Sequence, residues 1–274
     1  MSNFWVRAVT GTIFVALLVT AIVFGGAFLY GVFGLFAILG LAEFYSLFKN
    51  SNYAPNKFGI VLGGLIYASA LIPGSRTYIA ILGIGLFGFA IIAIWELFRK
   101  KETPFQNISL TILGLVYVIL PFFLLFELRT TDKFCGLGEP PLHTYIILLS
   151  LFIMVWCNDT FAYLVGRAIG KNKLFERISP KKTWEGFIGG ILFAIGAAVL
   201  LSYLFELEYT KMITYGAVIG IFGTAGDLVQ SMLKRSLGVK DSGKILPGHG
   251  GILDRFDGVI FVAPIIFYLD RMVF

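Results

Sequence analysis

The chain has 274 residues, of which 58% are hydrophobic, 16% aromatic and only 14% charged, and its mean hydropathy is +0.87. These values exclude a single water-soluble core of this length and indicate a polytopic membrane protein. The net charge of +6 does not indicate a nucleic-acid partner, because Lys and Arg of membrane proteins gather on the cytoplasmic side and face anionic headgroups. We therefore expect membrane lipids, and no nucleic acid, around this chain.

Nine apolar stretches are long enough to be helices that cross a hydrocarbon core of roughly 30 Å. Such a crossing takes about 20 helical residues, or fewer where a span is short or re-entrant. They lie near 4–24, 28–47, 58–73, 77–98, 107–127, 143–165, 186–205, 211–233 and 252–273. Their apolar runs are continuous, which favours helices over the alternating strands of a barrel. The first stretch lacks a small-residue cleavage site and is followed at once by another, so we expect a span there and no removed signal peptide. The predicted fold class is an all-α polytopic helical bundle of about nine transmembrane helices.

The distribution of basic residues predicts the orientation of this bundle. Most of the 22 Lys and Arg fall on the same side as the N-terminus when the nine spans are threaded in order. The positive-inside rule then places the N-terminus and both long basic loops in the cytoplasm, in a multi-pass protein of the cell (inner) membrane. We expect one continuous membrane domain, with scaffold helices at 1–142 and the catalytic site at 143–274.

The first half of the chain carries few chemical groups inside its spans. Glu43 and Glu96 lie near the cytoplasmic ends of the second and fourth spans, where each could line a polar cavity or simply reach the interface. Glycines at short spacing within spans predict close helix packing rather than nucleotide binding, because no strand precedes them. These glycines are Gly83, Gly85 and Gly88, the pair Gly186 and Gly190, and the pair Gly216 and Gly220.

The sixth span introduces a buried acid and is followed by a basic loop. Asp159 lies inside the span, where an ionised carboxylate is costly unless it is partnered or hydrated. It could serve a functional site or could bond a neighbouring helix. The loop that follows offers ammonium and hydroxyl donors at the membrane surface, which suits phosphate recognition, although a plain positive-inside loop has the same composition. The candidate donors are Ser179, Lys181, Lys182 and Thr183.

The eighth and ninth spans carry acids at regular helical spacing. Asp227, Ser231 and Lys234 recur at i, i+4 and i+7, which places a carboxylate, a hydroxyl and an ammonium on one helical face. Asp254 and Asp257 are separated by three residues at the start of the ninth span, so both can point the same way. Acids at a helix N-terminus also favour the helix dipole, which is the structural alternative for this pair.

The stretch from Ser231 to Asp257 differs most from its apolar surroundings. It combines cationic side chains, hard oxygen ligands and a glycine turn, a combination that suits a polyphosphate with its divalent metal, although a solvated loop can have similar composition. Gly238 to Lys244 has the letters of a P-loop, but Ile245 replaces the Ser or Thr that would bind magnesium, so we exclude that motif. The candidate residues here are Lys234, Arg235, Lys240, Asp241, His249, Gly250, Gly251, Asp254, Arg255 and Asp257.

These residues resemble the signature of the phosphatidate cytidylyltransferases, also called CDP-diacylglycerol synthases. The resemblance rests on Ser231, Leu233, Lys234, Arg235, Lys240, Asp241, Leu246, Pro247, His249, Gly250, Gly251, Asp254, Arg255 and Asp257. The segment 158–186 is similar to a second block of the same family, whereas the first half matches only in its topology. The resemblance implies an integral membrane nucleotidyltransferase that condenses CTP with phosphatidate to give CDP-diacylglycerol and pyrophosphate.

The resemblance also implies roles for the site residues. We expect Mg²⁺ as the cofactor, alone or with a second cation, bound by Asp227, Asp254 and Asp257, with Asp241 in support. The expected catalytic group is Asp159, Asp227, Lys234, Asp254 and Asp257. The expected substrate-binding residues are Ser179, Lys181, Lys182, Thr183, Ser231, Arg235, Lys240, Asp241, His249, Gly250, Gly251 and Arg255.

Two questions stay open at the level of the sequence. A transporter of an anionic phosphorylated metabolite would also carry charges inside a polytopic bundle, although its ionisable residues are expected near the bilayer midplane and in two related halves. A homodimer formed through small-residue helix faces is compatible with the sequence, which does not decide the oligomeric state.

Overall fold

Helices dominate the chain. The computed structural model describes residues 3–72, 74, 76–129 and 144–274, and all statements below concern those ranges. The helices within them are α1 (Asn3–Phe24), α2 (Gly26–Leu47), α3 (Phe58–Ala68), α4 (Arg76–Arg99), α5 (Pro104–Arg129), α6 (Thr144–Ile169), α7 (Trp184–Phe205), α8 (Tyr209–Ser236) and α9 (Leu253–Met272). Strands β1 (Lys173–Phe175) and β2 (Ser179–Thr183) pair antiparallel between α6 and α7. The predicted all-α membrane fold is confirmed, and the small hairpin is an addition to it.

Seven of these helices have the length and the apolar composition needed to cross a membrane. The two that do not are the third and the last of the nine predicted spans. The third is apolar but covers only Phe58–Leu71 with its final 3₁₀ turn, and its predicted end at residue 73 lies outside the described residues. The last contains Pro264 and carries charged side chains near both ends, so it has too many charges to count as such a span.

Two of the long helices contain a π-helical turn. Leu115–Ile119 forms one within α5, and Ile219–Gly223 forms one within α8. A π turn inserts one extra residue into the helix, which rotates every later side chain by about 100° relative to a regular α-helix. The turn in α8 directly precedes the part of that helix that bears Asp227 and Ser231.

The chain divides into two compact units. Unit 1 comprises Met1–Pro141 and Asp241–Arg255, and unit 2 comprises Leu142–Lys240 and Phe256–Phe274. The segment from Asp241 to Arg255, which the sequence places in the second half, therefore belongs with the first. The division into a scaffold at 1–142 and a catalytic part at 143–274 stays a prediction, and its boundary lies outside the described residues.

Unit 1 buries two of the acids in its helices, Glu43 and Glu96. Glu43 is 4% exposed and Glu96 is 3% exposed, so both side chains are enclosed by protein. The Oε1 atom of Glu96 accepts a hydrogen bond of 2.7 Å from Asn107 Nδ2, and its Oε2 atom pairs with Arg99 at 2.7 Å. Arg99 also donates to the backbone oxygen of Ala54 at 2.9 Å. Glu96 thus anchors the connection between α2 and α3 to the ends of α4 and α5.

In unit 2, α6 and α7 cross at a row of glycines. A Cβ atom on Gly186 would lie 2.6 Å from the backbone oxygen of Ala162 and 3.1 Å from Cα of Gly166. A Cβ atom on Gly190 would lie 2.6 Å from Oδ1 of Asn158. The predicted close packing at Gly186 and Gly190 is confirmed, and the two backbones approach each other because no side chain separates them.

The other predicted glycine contacts divide into two groups. Gly216 and Gly220 pack directly against the backbone of α7, as expected from their spacing. In α4, Gly88 packs against the side chain of Leu62, but a Cβ atom on Gly83 or Gly85 would meet no atom within 4 Å. The packing prediction is therefore wrong for Gly83 and Gly85, because these two residues lie on a side of α4 that has no neighbour in the described part of the chain.

A polar cluster joins α8 to α9 near the start of α8. Lys211 Nζ lies 2.6 Å from Oδ1 of Asp270, and the Tyr215 hydroxyl donates to the same oxygen at 2.9 Å. The side chains of Lys211 and Asp270 are only 18% and 12% exposed. Removing one partner of a buried ion pair leaves the other charge without compensation.

We expect Asp270→Asn to lower the stability of the protein by about 3 kcal/mol. Thermal unfolding in detergent, followed by tryptophan fluorescence, measures the change. Lys211→Met in the Asp270→Asn background removes the stranded ammonium, so the double variant is expected to recover part of the loss. A double variant that is less stable than Asp270→Asn would show that the pair is not what stabilises this junction.

Candidate active site

Three carboxylates from three helices of unit 2 interact with one another. We call Asp159 of α6, Asp227 of α8 and Asp257 of α9 the acidic cluster. Asp159 interacts electrostatically with Asp227, and Asp257 interacts with both of them. Lys182 and Lys234 supply the nearby positive charges, Lys182 to Asp159 and Lys234 to Asp257. Mutual repulsion of three acids in a membrane protein is unfavourable, so such a cluster points to a functional requirement.

The acidic cluster is crowded by surrounding atoms, yet its carboxylates keep exposed surface. Asp159 is exposed, and Asp227 and Asp257 are half-buried. Acids that serve only to join helices are normally enclosed and fully hydrogen-bonded. A ligand could therefore reach these carboxylates directly.

The hairpin between α6 and α7 places the Lys182 ammonium group beside the cluster. Lys182 Nζ lies 2.5 Å from Oδ2 of Asp227. Successive side chains of a strand point to opposite faces, so Lys182 turns toward the cluster while the preceding Lys181 is exposed. The sequence does not distinguish these two lysines, whereas the strand places Lys182 against Asp227.

The second part of α8 presents its polar residues on one face, as their spacing predicts. The Ser231 hydroxyl donates to Oδ1 of Asp227 at 3.2 Å. Lys234, one turn further, is 9% exposed. Asp227 thus receives a hydroxyl on one oxygen and the Lys182 ammonium on the other, which fixes the orientation of its carboxylate.

Asn158 supports the cluster from the buried side of α6 and was not among the predicted site residues. It is 1% exposed, and its Nδ2 atom donates to Oδ1 of Asp159 at 3.2 Å and to the Thr224 hydroxyl at 3.5 Å. A buried amide beside an intramembrane acid is the sequence feature that could have identified it. Its role is to orient Asp159 and to link α6 to α8.

The two hydroxyl residues of the hairpin differ in their surroundings, and Thr183 has a structural role. Thr183 is the N-cap of α7, where its Oγ1 atom accepts a hydrogen bond of 3.2 Å from the backbone N–H of Gly186. It is 5% exposed, whereas Ser179 is half-buried at the start of β2. A capping hydroxyl satisfies one of the helix's unpaired amides, which gives Thr183 a structural task beside its predicted contact with substrate.

Two cationic residues that follow the Asp227 face are exposed. Arg235 donates through Nη1 to the backbone oxygen of Val239 at 3.3 Å, and Lys240 extends from the surface. Both lie in unit 2 at the end of α8 and just after it. Their predicted contact with an anionic substrate stays a prediction.

In unit 1, Asp254 holds the segment from Asp241 to Arg255 together. Its Oδ2 atom accepts hydrogen bonds from the backbone N–H of Ser242 at 2.8 Å and of Gly251 at 3.0 Å. Gly250 has a φ of +82°, and a Cβ atom there would lie 2.6 Å from the same oxygen. A glycine is therefore required at this position both by the backbone conformation and by the space available.

His249 and Arg255 complete a turn within this segment. The backbone oxygen of His249 accepts hydrogen bonds from Arg255 Nη2 at 2.8 Å and Nε at 3.1 Å. The His249 ring lies against Gly11 of α1. Burial, together with the charges of Arg255 and Arg7, lowers the pKa of His249 below its ordinary value, so its imidazole is neutral at pH 7. A neutral ring can still donate one hydrogen bond to a phosphate.

The donor chemistry of the acidic cluster fits Mg²⁺. The described residues contain no group of three His, Cys, Asp or Glu side chains with the spacing to enclose a metal ion. Mg²⁺, however, keeps several waters and is usually bound by one or two carboxylates together with substrate phosphates. Three acids against two ammonium groups leave a charge that a divalent cation would offset. The three-ligand set of Asp227, Asp254 and Asp257 stays a prediction.

Comparison with known proteins agrees with this chemistry. Residues 5–273 match the model of the cytidylyltransferase family. A Bacillus subtilis protein named phosphatidate cytidylyltransferase is 36% identical over 216 residues, which cover 76% of this chain and 77% of the relative. A Staphylococcus epidermidis protein of the same name is 35% identical over 270 residues, covering 95% and 96%. One from Staphylococcus aureus strain COL is 39% identical over 178 residues, covering 64% of each. The chain belongs to the cytidylyltransferase family.

Proposed function

We propose that this protein transfers the cytidylyl group of CTP to phosphatidate, forming CDP-diacylglycerol and pyrophosphate. The observation that carries the proposal is the accessible acidic cluster, paired with two lysines, in a chain whose helices span a membrane. The relatives named phosphatidate cytidylyltransferase support the choice of substrates. Such a cluster is suited to two phosphorylated substrates and a divalent ion.

The reaction needs no nucleophile from the protein. A phosphate monoester with a second pKa of about 6 is largely dianionic at pH 7, so an oxygen of phosphatidate can attack the α-phosphorus of CTP. The bond between the α-phosphorus and the bridging oxygen of pyrophosphate breaks, and pyrophosphate leaves with that oxygen. The enzyme has to align the two substrates and offset their repulsion.

The residues of unit 2 divide these tasks. Lys182 and Lys234 offset the negative charge of the phosphates, and Ser231 keeps the Asp227 carboxylate oriented. Asp227 and Asp257 would hold Mg²⁺, with Asp159 beside them. When bound, Mg²⁺ supplies positive charge to the triphosphate and to the leaving pyrophosphate. Lys181, being exposed, is the candidate for an approaching phosphatidate headgroup.

We further propose that the backbone amides of Gly250 and Gly251, with His249, bind CTP phosphates and that the site faces the cytoplasm. The glycine-rich turn and the cations around it support the first part. The excess of Lys and Arg on the N-terminal side supports the second, with the protein in the cell membrane.

One experiment tests the reaction itself. Purified protein in detergent is incubated with phosphatidate, Mg²⁺ and CTP labelled either at the α-phosphate or at the γ-phosphate. We expect the α-label in the lipid fraction and the γ-label in pyrophosphate, and we expect excess EDTA to abolish both.

Other distributions of label would contradict the proposal. A γ-labelled lipid would indicate a phosphotransferase that uses CTP as phosphate donor. An absence of labelled lipid, combined with uptake of a phosphorylated metabolite into proteoliposomes, would favour a transporter.

A further inference from the structure

Glu43 is a buried acid of unit 1 that the proposed reaction does not use. It lies near the end of α2 and is 4% exposed. Its Oε1 atom has no hydrogen-bond partner within the described residues. Keeping an acid in such surroundings is costly, so its contacts must compensate for that cost.

Those contacts are made to both ends of a turn almost two hundred residues away in sequence. Glu43 Oε2 accepts hydrogen bonds from the backbone N–H of Leu253 at 3.1 Å and from the Ser242 hydroxyl at 3.4 Å. Leu253 is the first residue of α9, and the first amides of a helix have no partner within it. Glu43 therefore supplies an acceptor that α9 needs and ties it to residue 242.

Two glycines close over the Glu43 carboxylate. A Cβ atom on Gly243 would collide with Oε1, and a Cβ atom on Gly251 would collide with both carboxylate oxygens and with the Ser242 hydroxyl. These two residues flank the turn on opposite sides. The backbone on both sides of the turn thus packs closely against the Glu43 side chain.

Asp254 also binds the backbone at both ends of this turn. Its Oδ2 atom accepts from the amides of Ser242 and Gly251, and its charge interacts with that of Glu43. Two acids in each other's field repel when both are ionised, so their hydrogen bonds must offset that cost. Together they fix the ends of the loop that carries His249 and Gly250.

We propose that Glu43 is a positioning residue that sets the geometry of the loop from Ser242 to Leu253 for CTP. The inference rests on the proposed function, since it takes this loop as the holder of CTP phosphates. Glu43 does not touch the substrate; it acts through the Ser242 hydroxyl, the Leu253 amide and its close packing against Gly251. Displacement of a binding group by about 1 Å can cost about 100-fold in rate, so a small shift of this loop is sufficient to be measured.

The first test compares Glu43→Ala with Glu43→Gln in the purified full-length protein. We expect Glu43→Ala to raise KM for CTP at least tenfold while KM for phosphatidate changes less than twofold. Glu43→Gln retains one carbonyl oxygen for the Leu253 amide, so its KM for CTP should lie between those of the wild type and Glu43→Ala.

Glu96→Gln is the matched control. Glu96 is an equally buried acid of unit 1, but its partners are Asn107 and Arg99 rather than the loop. A variant that is only destabilised reduces the active fraction and hence kcat, without changing KM. We expect Glu96→Gln to lower the melting temperature and leave KM for CTP within twofold of wild type.

Hydrogen exchange gives a readout that does not depend on activity. In Glu43→Ala, the amides of peptides covering residues 242–253 should exchange at least tenfold faster than in wild type and in Glu96→Gln. Wild-type KM for CTP together with wild-type exchange in Glu43→Ala would overturn the inference. Absence of CDP-diacylglycerol synthesis in the wild type would instead overturn the proposed function, and the exchange measurement would still decide whether Glu43 holds the loop.

A double variant tests the steric part of the inference. Gly251→Ala should raise KM for CTP because its methyl group meets Glu43 and Ser242. In the Glu43→Ala background the collision with the carboxylate is gone and only that with the Ser242 hydroxyl remains, so the added effect of Gly251→Ala should be smaller than in the wild type. Independent, multiplicative effects of the two substitutions would show that Gly251 and Glu43 do not act on each other.

Discussion

Asp227→Asn is expected to lower kcat for CDP-diacylglycerol synthesis on the order of 100- to 1,000-fold, the range that follows loss of one charge-stabilising group. Asn has nearly the same size, so packing is preserved, but it cannot pair with Lys182 or hold a divalent cation as a carboxylate does. The loss should be accompanied by a higher Mg²⁺ concentration for half-maximal activity. Initial rates over a Mg²⁺ titration, with labelled CTP in detergent, measure both quantities.

Asp270→Asn serves as the control for this prediction. It also removes an ion-paired carboxylate of unit 2, but its partner Lys211 lies 16 residues before Asp227 on α8, which corresponds to about 24 Å along the helix. Its activity per folded molecule should stay within twofold of wild type. Asp227→Asn with wild-type kcat and an unchanged Mg²⁺ requirement would exclude Asp227 as a metal ligand.

The second large effect is expected at the crossing of α6 and α7. Gly186→Ala places a methyl group against the backbone oxygen of Ala162, which cannot move away as a side chain can. The two helices must separate, and overpacking of this kind costs about 1–3 kcal/mol. Because Thr183 caps α7 beside this contact and Lys182 precedes it, the shift should also displace the Lys182 ammonium from Asp227. We expect a lower melting temperature and an approximately tenfold lower rate.

Gly196→Ala on the same helix is the matched control. A Cβ atom there would meet nothing within 4 Å, so the same chemical change should leave stability and rate near those of the wild type. Equal effects of the two substitutions would mean that loss of glycine from α7, and not the collision with α6, is what matters.

The parts of this fold that depend on local sequence could be predicted. Long apolar runs placed all nine helices, and the spacing of Asp227 and Ser231 placed them on one face, because both depend only on helical periodicity. Residues 227 to 234 all follow the π turn at 219–223, so that turn does not disturb their mutual register. The same periodicity carried from the start of α8 across this turn would have misplaced them by about one residue.

Non-local features could not be predicted from the same signals. The hairpin of β1 and β2 is only three and five residues long, and Pro180 within it is atypical of a strand interior. Nothing in the neighbourhood of Glu43 indicates a partner at residue 253. Periodicity likewise does not specify which helices lie beside α4, so it cannot tell whether Gly83 and Gly85 face a neighbouring helix.

The membership of Asp241–Arg255 in unit 1 has a consequence for biosynthesis. The ribosome completes residues 1–141 about a hundred residues before it makes this segment, so unit 1 is incomplete for much of translation. During that interval Glu43 lacks its partners on the nascent chain, and its carboxylate must be hydrated or protected in another way. Splitting the gene near residue 142 would likewise give a first half without this segment, so the two fragments should regain activity only when they are produced together.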